Sequence, residues 1–412
     1  MHSNTEIISL LDDTIIRLFA YCRKKNWAGY DPYDALNSKI FQSLTFLHSK
    51  YPRLILTQFM KRSPINFRPL LRVPKGHNPK GIALFCSSLI RLHDVNFLSS
   101  DKAIFELLDK LIKLRNPDQS YYCWGYNFDW QSRQILLPKN HPNIIATTFA
   151  GNALLDAYEK YCHPQYLNMA LSASEFILHG LNITKNNGDL CFSYTPLDFA
   201  QIHNANLLGA AFLARIYYNT GETKFLNYSI KAANYSTSKQ NKDGSWFYGE
   251  YDFQKWIDNF HTGYNLVALK KISHYCNTDE FVLILKKGLQ FYLDNFFFKD
   301  EIPKYFHHKL FPIDIHSIAY SIVTLVEFSD LNEKLLCLAK KIFKWSTTNF
   351  QNKTDYFYYQ KNRWLTNRIP YMRWSQAWML YAIVLLYEQI NLTERKYATD
   401  FSLEKNGSIR RN

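Results

Sequence analysis

The sequence predicts an all-α fold, an (α/α)6 toroid in which six helical hairpins close into a ring. Two observations lead to this prediction. Helices that are apolar or small on nearly every face alternate with amphipathic helices, and a helix that is hydrophobic all round is buried. Aromatic segments recur between them at intervals that indicate a repeat array with one hairpin per unit. Because the apolar helices need burial on all sides, we expect a closed ring and not an open solenoid with polar caps.

The chain begins with an amphipathic helix over residues 5–24, which we expect to be additional to the ring. The segment 51–79 contains five prolines, too many for a helix, so we predict a Pro-rich loop or lid there. The predicted inner helices are 81–92, 144–158, 206–217, 263–272, 315–326 and 374–386. The predicted outer helices are 34–50, 101–115, 164–180, 222–240, 278–296 and 331–349. Residues 1–395 are predicted to form one toroid domain, followed by a basic C-terminal tail over 396–412.

Short, strand-like aromatic segments connect outer helices to the next inner helices. They are predicted at 121–126, 190–194, 245–249, 304–308 and 356–359. Their aromatic residues at positions 124, 192, 246, 305 and 357 are separated by 68, 54, 59 and 52 residues. All outer-to-inner connections of such a ring emerge at one end, so we expect their side chains to meet at the mouth of a funnel.

Composition and charge restrict the class of partner. Hydrophobic residues make up 47% of the 412 residues and charged residues 20%, which indicates a globular protein. The formal net charge of +14 favours an acidic glycan, a nucleotide-sugar or a phospholipid headgroup, although it could serve solubility alone. We expect no nucleic-acid partner, because the chain has no Lys/Arg block and no nucleic-acid motif. Peripheral membrane contact through a basic surface is compatible with this charge.

Cysteine usage and the N-terminal sequence indicate a cytoplasmic location. The seven cysteines are scattered without CxxC or zinc-site spacing, which is typical of free thiols in a reducing compartment. The first residues lack the charged head and apolar core of a signal peptide. No apolar run approaches the length of a membrane span. We expect no metal and no cofactor, because metal-ligand spacing and nucleotide-binding motifs are missing.

Polar side chains cluster at the predicted starts of the inner helices, and these form the candidate site. The candidate catalytic residues are Asp129, His203, Asp258, His261, Asp314 and His316. The candidate substrate-binding residues are Trp124, Tyr126, Trp130, Asn143, Tyr194, Asn204, Trp246, Tyr248, Glu250, Asn259, Arg368 and Arg373. Simpler roles stay open: Asp and Asn at these positions are favoured helix N-caps, the histidines could satisfy buried polar contacts, and the aromatic rings could pack in the core.

Such a ring of residues suits sugar chemistry in two ways. Glycoside cleavage needs a carboxylic acid and a second carboxylate about 5–9.5 Å apart. Epimerisation or elimination of a uronate needs a base for the proton next to the carboxylate, and a cation to hold the enolate. A histidine of the candidate set would be that base, and Arg368 or Arg373 would be the cation.

Several blocks resemble known toroids. The run Gln240-Asn-Lys-Asp-Gly244-Ser-Trp246 is similar to the Gln-x3-Gly-x-Trp repeat of squalene-cyclase-like α/α toroids. Blocks along nearly the whole chain, among them Trp124-Gly-Tyr-Asn-Phe-Asp-Trp130 and Trp256-Ile-Asp-Asn-Phe-His-Thr-Gly263, resemble bacterial six-hairpin, glycosidase-like proteins found with surface polysaccharide biosynthesis. The position of Asp258 is also similar to that of catalytic Asp residues in unsaturated glucuronyl hydrolases.

These resemblances imply a carbohydrate-active protein acting intracellularly in surface or capsular polysaccharide biosynthesis. We expect a glycoside hydrolase or a lyase/epimerase that acts on an oligosaccharide or polysaccharide, acidic or lipid-linked. One alternative is a non-catalytic glycan-binding or assembly protein on the same ring. Another is a terpenoid cyclase-like or prenyl-handling protein, although its Asp-rich motif is missing from the candidate site.

Overall fold

The computed structural model shows a ring of helices and describes residues 2–299, 301–353 and 355–408. In chain order, the α-helices of these residues are α1 (His2–Lys24), α2 (Lys39–Ser43), α3 (Lys50–Arg62), α4 (Pro79–Asp94), α5 (Lys102–Lys113), α6 (Ile144–Tyr161), α7 (Pro164–Glu175), α8 (His203–Thr220), α9 (Thr223–Thr237), α10 (Asn259–Cys276), α11 (Val282–Phe296), α12 (Ile315–Glu327), α13 (Glu333–Phe350) and α14 (Trp378–Ser408).

The even-numbered helices from α4 to α14 form the inner ring. Each packs against the next, and α14 packs back against α4, so the ring is closed. Their side chains form one continuous core, and small residues allow close approach: a Cβ atom on Gly151 of α6 would lie 2.4 Å from the Phe212 ring of α8. The outer helices are α5, α7, α9, α11, α13 and α1, which packs against α13 and α14. The predicted (α/α)6 toroid is confirmed.

Two predictions between residues 34 and 79 are wrong. The expected outer helix over 34–50 is divided into α2 and short 3-10 turns at Asp34–Asn37 and Thr45–Leu47. The N-terminal helix α1 takes the outer position instead, so it belongs to the ring. The expected loop over 51–79 is helical in its first part, because α3 extends to Arg62. Pro52 lies in the first turn of α3, where a backbone N–H has no partner within the helix anyway.

The strands are short and lie in the outer-to-inner connections, as predicted for one end of the ring. They are β1 (Trp130–Gln131), β2 (Leu136–Leu137), β3 (Ile183–Asn186), β4 (Asp189–Phe192), β5 (Phe297–Phe298), β6 (Ile302–Pro303), β7 (Ile313–Asp314), β8 (Gln360–Lys361) and β9 (Thr366–Asn367). β1–β2, β3–β4 and β5–β6 are antiparallel pairs, and β7–β8–β9 is a three-stranded sheet. Single bridges, such as Gly125 with Pro142, hold the remaining aromatic segments.

The two chain ends lie side by side in the ring. α14 continues to Ser408, so the predicted tail over 396–412 begins within this helix, and its last four residues lie outside the described part. A π-helical turn, Met372–Ala377, leads into α14. Among the described residues, no helix has both the length and the apolar character needed to cross a bilayer.

Candidate active site

A cavity of about 650 Å³ opens at the end of the ring where the inner helices begin. Buried residues of its lining include Lys80 of α4, Tyr264 of α10 and His316 of α12. The helix α3 forms part of its wall through Leu54 and Lys61. The first turns of the inner helices and the connections before them therefore meet at one cavity, as the sequence predicts.

Asp258 and His261 form a hydrogen-bonded pair at the start of α10. Asp258 is the N-cap residue: its Oδ1 accepts a bond from the His261 backbone N–H at 3.0 Å. Its Oδ2 accepts from His261 Nδ1 at 2.7 Å and from Trp256 Nε1 at 3.0 Å. The carboxylate is buried, and the imidazole lines the cavity. In the neutral imidazole, donation from Nδ1 to Asp258 leaves the lone pair on Nε2, which has no hydrogen-bond partner among the described residues.

A second hydrogen-bonded chain lies among the buried residues of the cavity lining. The Lys80 amino group donates to Tyr264 Oη at 3.1 Å, and Tyr264 Oη lies 3.0 Å from His316 Nε2. Burial, reinforced by the charge of Arg373, lowers the pKa of Lys80 well below its usual value. Burial and the nearby cations likewise lower the pKa of His316. Burial therefore disfavours the protonated form of both groups relative to the same groups in water.

Two polar atoms on cavity-lining residues are buried without a partner among the described residues. They are Oδ1 of Asn204 and Nδ1 of His316. A buried polar group without a hydrogen bond is costly, at about 1–3 kcal/mol.

Arg373 supplies a fixed cation on the cavity wall. Its Nε and one Nη donate to the two carboxylate oxygens of Asp31 at 2.6 and 2.8 Å, and both side chains are buried. This ion pair joins the π-helical turn before α14 to the connection between α1 and α4. Lys61, Arg62 and Arg133 also line the cavity, so its mouth is basic.

The carboxylates nearest the cavity are fully engaged in local structure. Asp198 lines the wall, but it accepts four bonds, from the backbone N–H groups of Tyr194, Thr195 and Ala200 and from the Thr195 hydroxyl. Asp314 does not line the cavity. It caps α12 and accepts bonds from Trp374 Nε1 and Gln360 Nε2, and burial raises its pKa to about 6.

Aromatic rings form much of the remaining wall. Tyr248 stacks on Trp256 with ring centroids 4.5 Å apart, and Tyr126 donates or accepts a hydrogen bond with Tyr194 at 2.7 Å between their hydroxyl oxygens. Trp130 also lines the cavity. Flat apolar faces with hydroxyl groups at their edges suit the stacking of sugar rings.

Several residues of the predicted site lie outside the cavity lining and have structural partners. His203 is buried and bonds Glu250 through Nε2 at 2.9 Å. Asp129 accepts a bond from the Lys139 N–H across the β1–β2 hairpin. Arg368 is exposed and lies over the Tyr358 ring.

The indoles of Trp124 and Trp246 are buried and donate to carbonyls of the outer helices α5 and α9, at Leu111 and Ser236. Two asparagines of the predicted set are also structural. Asn143 caps α6 through a bond from the Ala146 N–H. Asn259 is buried and accepts bonds from Tyr292 Oη and Ser321 Oγ. These positions contribute to the ring and not to the cavity surface.

Sequence reasoning missed Lys80, Tyr264 and Trp256. Lys80 was detectable as a single lysine in the first turn of an otherwise apolar helix, since an unpaired buried lysine is rare outside functional sites. Tyr264 carried no such signal, because a tyrosine on an inner helix is equally suited to core packing. In the described part of the chain, no group of three or more His, Cys, Asp or Glu side chains could hold a metal ion.

The chain was compared with known proteins. No family model and no curated protein matches it. Several solved structures are similar to it in fold. A GH76 α-mannanase of Bacteroides thetaiotaomicron is 12% identical, with a TM-score of 0.59, over 77% of this chain and 88% of that chain. Cellobiose 2-epimerase of Bacillus thermoamylovorans is 11% identical, with a TM-score of 0.59, over 76% and 88%.

A D-mannose isomerase is also 11% identical, with a TM-score of 0.58, over 76% of this chain and 87% of that chain. These structures are six-hairpin, glycosidase-like toroids. At such low identity the similarity establishes the shared fold and gives no correspondence between site residues.

Proposed function

We propose that the protein is a carbohydrate-active enzyme that transfers a proton at a sugar carbon, as epimerases and lyases do. The main support for this proposal is the Asp258–His261 pair, in which a buried carboxylate orients an imidazole that lines the cavity. A histidine held in one tautomer by a carboxylate is a suitable general base near neutral pH. The names of two structural neighbours, an epimerase and an isomerase, are consistent with this chemistry.

Glycoside hydrolysis is less well supported by the same geometry. It requires two carboxyl groups that reach the substrate from opposite sides. Asp198 and Asp258 line the cavity, but each is occupied by bonds that cap or tighten a turn. Asp314 has a raised pKa suited to a general acid, but it lies behind Trp374 and outside the cavity lining.

The proposed reaction uses groups in two parts of the cavity. His261 Nε2 removes the proton from the carbon next to a carbonyl or carboxylate, and Asp258 stabilises the imidazolium that results. The Tyr264–His316 pair, backed by Lys80, supplies or accepts the second proton. Arg373, held by Asp31, stabilises the negative charge that develops on oxygen.

The basic mouth favours an acidic glycan. Four basic side chains, Lys61, Arg62, Arg133 and Arg373, line the cavity against two carboxylates, those of Asp198 and Asp258. Stacked aromatic rings suit a chain of several sugars. We further propose that the substrate is a surface polysaccharide or its lipid-linked precursor, and that the reaction takes place in the cytoplasm, a setting consistent with seven free cysteines.

Solvent-deuterium exchange tests the proposal. The protein is incubated in D2O with a panel of uronate-containing and neutral oligosaccharides, and products are analysed by NMR and mass spectrometry. Epimerisation replaces one carbon-bound hydrogen by deuterium without changing chain length. Elimination produces an unsaturated sugar, and hydrolysis adds one water across a cleaved bond.

The matched control compares two histidines that both begin inner helices. His261→Gln should abolish deuterium incorporation, whereas His203→Gln, outside the cavity lining, should retain it. Addition of water without carbon exchange would identify a hydrolase and overturn the proposed chemistry. Binding of a glycan without any product would instead identify the non-catalytic alternative.

A further inference from the structure

An exposed apolar stripe follows the outer side of α3. Tyr51, Ile55 and Phe59 repeat at intervals of four residues, which places them on one face of the helix. Each of these side chains is more than half exposed, at 72%, 68% and 52%. The cavity-facing side of the same helix carries Leu54 and Gln58. The helix therefore contributes one face to the cavity and presents another, apolar face to the outside.

The stripe is part of a larger surface. Residues 39–75 and 361–368 together are called the rim surface here. The two segments are joined by a hydrogen bond of 2.8 Å from Asn367 Nδ2 to the Ser63 carbonyl. The tip of the β8–β9 hairpin adds Trp364 and Leu365, which are 82% and 59% exposed. Of twenty strongly exposed large apolar side chains in the described part of the chain, ten lie on the rim surface, so the apolar exposure is concentrated there.

The charge of the rim surface has a single sign. Residues 39–75 contain eight lysines and arginines and no Asp or Glu, and residues 361–368 contain three basic residues and no acidic one. Arg68 is buried against Asp34, but Lys39, Lys50, Arg72 and Lys75 are exposed. Exposed aromatic and aliphatic side chains interspersed with basic residues are the features of segments that lie in the interface of a bilayer.

We infer that the rim surface binds anionic lipid bilayers. Apolar side chains of α3 and the β8–β9 tip enter the headgroup region, and the surrounding cations pair with anionic headgroups. A second copy of this chain is a poorer occupant, because a symmetric contact would bring two surfaces of the same positive sign together. Binding in this orientation turns the cavity mouth, of which α3 is one wall, toward the bilayer.

Co-sedimentation with vesicles tests the inference and needs no substrate, so its outcome is independent of the proposed function. The full chain is mixed with vesicles of phosphatidylcholine alone or of an equimolar mixture with phosphatidylglycerol, at low and high salt. We expect strong binding to the anionic vesicles that weakens at high salt, since salt screens exposed charges. We expect little binding to the neutral vesicles.

Variants locate the surface. The combined variant Tyr51→Ser, Ile55→Ser, Trp364→Ser should lower the partition coefficient into anionic vesicles by more than about tenfold. Exchange of Lys39, Lys50 and Arg72 for Gln should also weaken it and reduce its salt dependence. The matched control is Leu283→Ser, Leu331→Ser, because these exposed side chains lie in the first turn of α11 and in the α12–α13 connection, at the opposite end of the ring. Thermal midpoints of all variants report whether they fold.

Several outcomes would overturn the inference. One is equal partition of folded wild type and the apolar variant. Another is equal, salt-insensitive binding to neutral and anionic vesicles, which would mean that the charge has no part in binding. A third is the absence of vesicle binding together with a doubled mass in light scattering that Ile55→Ser abolishes. This result would assign the surface to self-association. Capture of an acidic protein without vesicle binding would likewise assign it to a protein partner.

Discussion

Substitution of Asp258 by Asn separates the capping and the chemical roles of this carboxylate. The two side chains have nearly the same shape, so the change acts through hydrogen bonds and through loss of the negative charge, and not through packing. In the wild type, Oδ1 accepts from the His261 backbone N–H, and Oδ2 accepts from His261 Nδ1 and Trp256 Nε1. Asparagine has one oxygen for these three donors, because its amide nitrogen can only donate.

The expected magnitude follows from the two orientations of the amide. If the oxygen keeps the cap, the amide N–H faces His261 Nδ1 and forces the imidazole into the tautomer in which Nε2 carries the proton. The base is then lost, which lowers kcat by about 10²–10⁴-fold, and the Trp256 N–H loses its partner at a cost of about 1–3 kcal/mol. If the oxygen turns to the imidazole, the helix loses its cap at about 0.5–2 kcal/mol. Across the two orientations, we expect the free energy of unfolding to fall by roughly 0.5–3 kcal/mol.

His261→Ala is the companion variant, because it keeps the backbone N–H that Asp258 caps. We expect a similar loss of turnover with a much smaller loss of stability. Deuterium exchange into the product gives the rate, and urea unfolding gives the stability of both variants. Normal turnover in both variants, with Asp258→Asn alone destabilised, would refute the reasoning, because the carboxylate would then serve only the helix start.

Three further predictions concern other parts of the ring. Lys80→Met should raise the free energy of unfolding near neutral pH. The pKa of Lys80 is lowered in the folded protein, so the wild type loses stability as pH falls below the usual lysine value of 10.5. Urea unfolding should show that the difference in stability between variant and wild type narrows at alkaline pH. Glu250→Gln should lower the thermal midpoint at neutral pH, because the hydrogen bond with His203 lowers the pKa of Glu250 to about 2. The stability that this bond contributes is present above the usual pKa of 4.5 and is lost as pH falls through about 2. Thermal scans of the variant and the wild type should therefore converge in acid. Gln240→Ala should cost about 1–3 kcal/mol in urea unfolding without changing turnover, because its side-chain amide donates to the carbonyls of Gly244 and Ile284.

The helical ring could be predicted because its signal is periodic and repeated, whereas the connection from α1 to α4 could not. The residues of 34–50 have the amphipathic spacing of a helix, but Ser38 bonds the Leu71 carbonyl and caps α2, so a tertiary contact divides the segment. The number of prolines in 51–79 suggests a loop, but the position of each proline decides whether a helix can form. Pro52 lies where a helix tolerates proline, and this one placement is the difference between a loop and the cavity-lining helix α3.

The aromatic segments illustrate a second limit. Trp124 and Trp246 occupy corresponding places in the array, two residues before Tyr126 and Tyr248. The tryptophans bond the outer helices, and the tyrosines line the cavity. Composition cannot distinguish these roles, because both residue types combine an apolar ring with one polar atom. The tryptophans differ from the tyrosines in one respect: each indole N–H lies within hydrogen-bonding distance of a carbonyl near the end of an outer helix.

The three histidines show how a displacement of one residue decides which partner each imidazole reaches. His203, His316 and His261 all lie at inner-helix starts, but they are the first, second and third residues of α8, α12 and α10 after the N-cap. Successive helical residues point about 100° apart, so these side chains extend in different directions from equivalent helices. At the third position, His261 points toward Asp258, the N-cap of its own helix, and its Nε2 lies on the cavity side. The second directs His316 to Tyr264, and the first directs His203 to Glu250, outside the cavity lining. Helix starts are uncertain by one or two residues even when a structure is known. The sequence could therefore identify the three histidines at inner-helix starts, but it could not distinguish the proposed base, His261, from the other two.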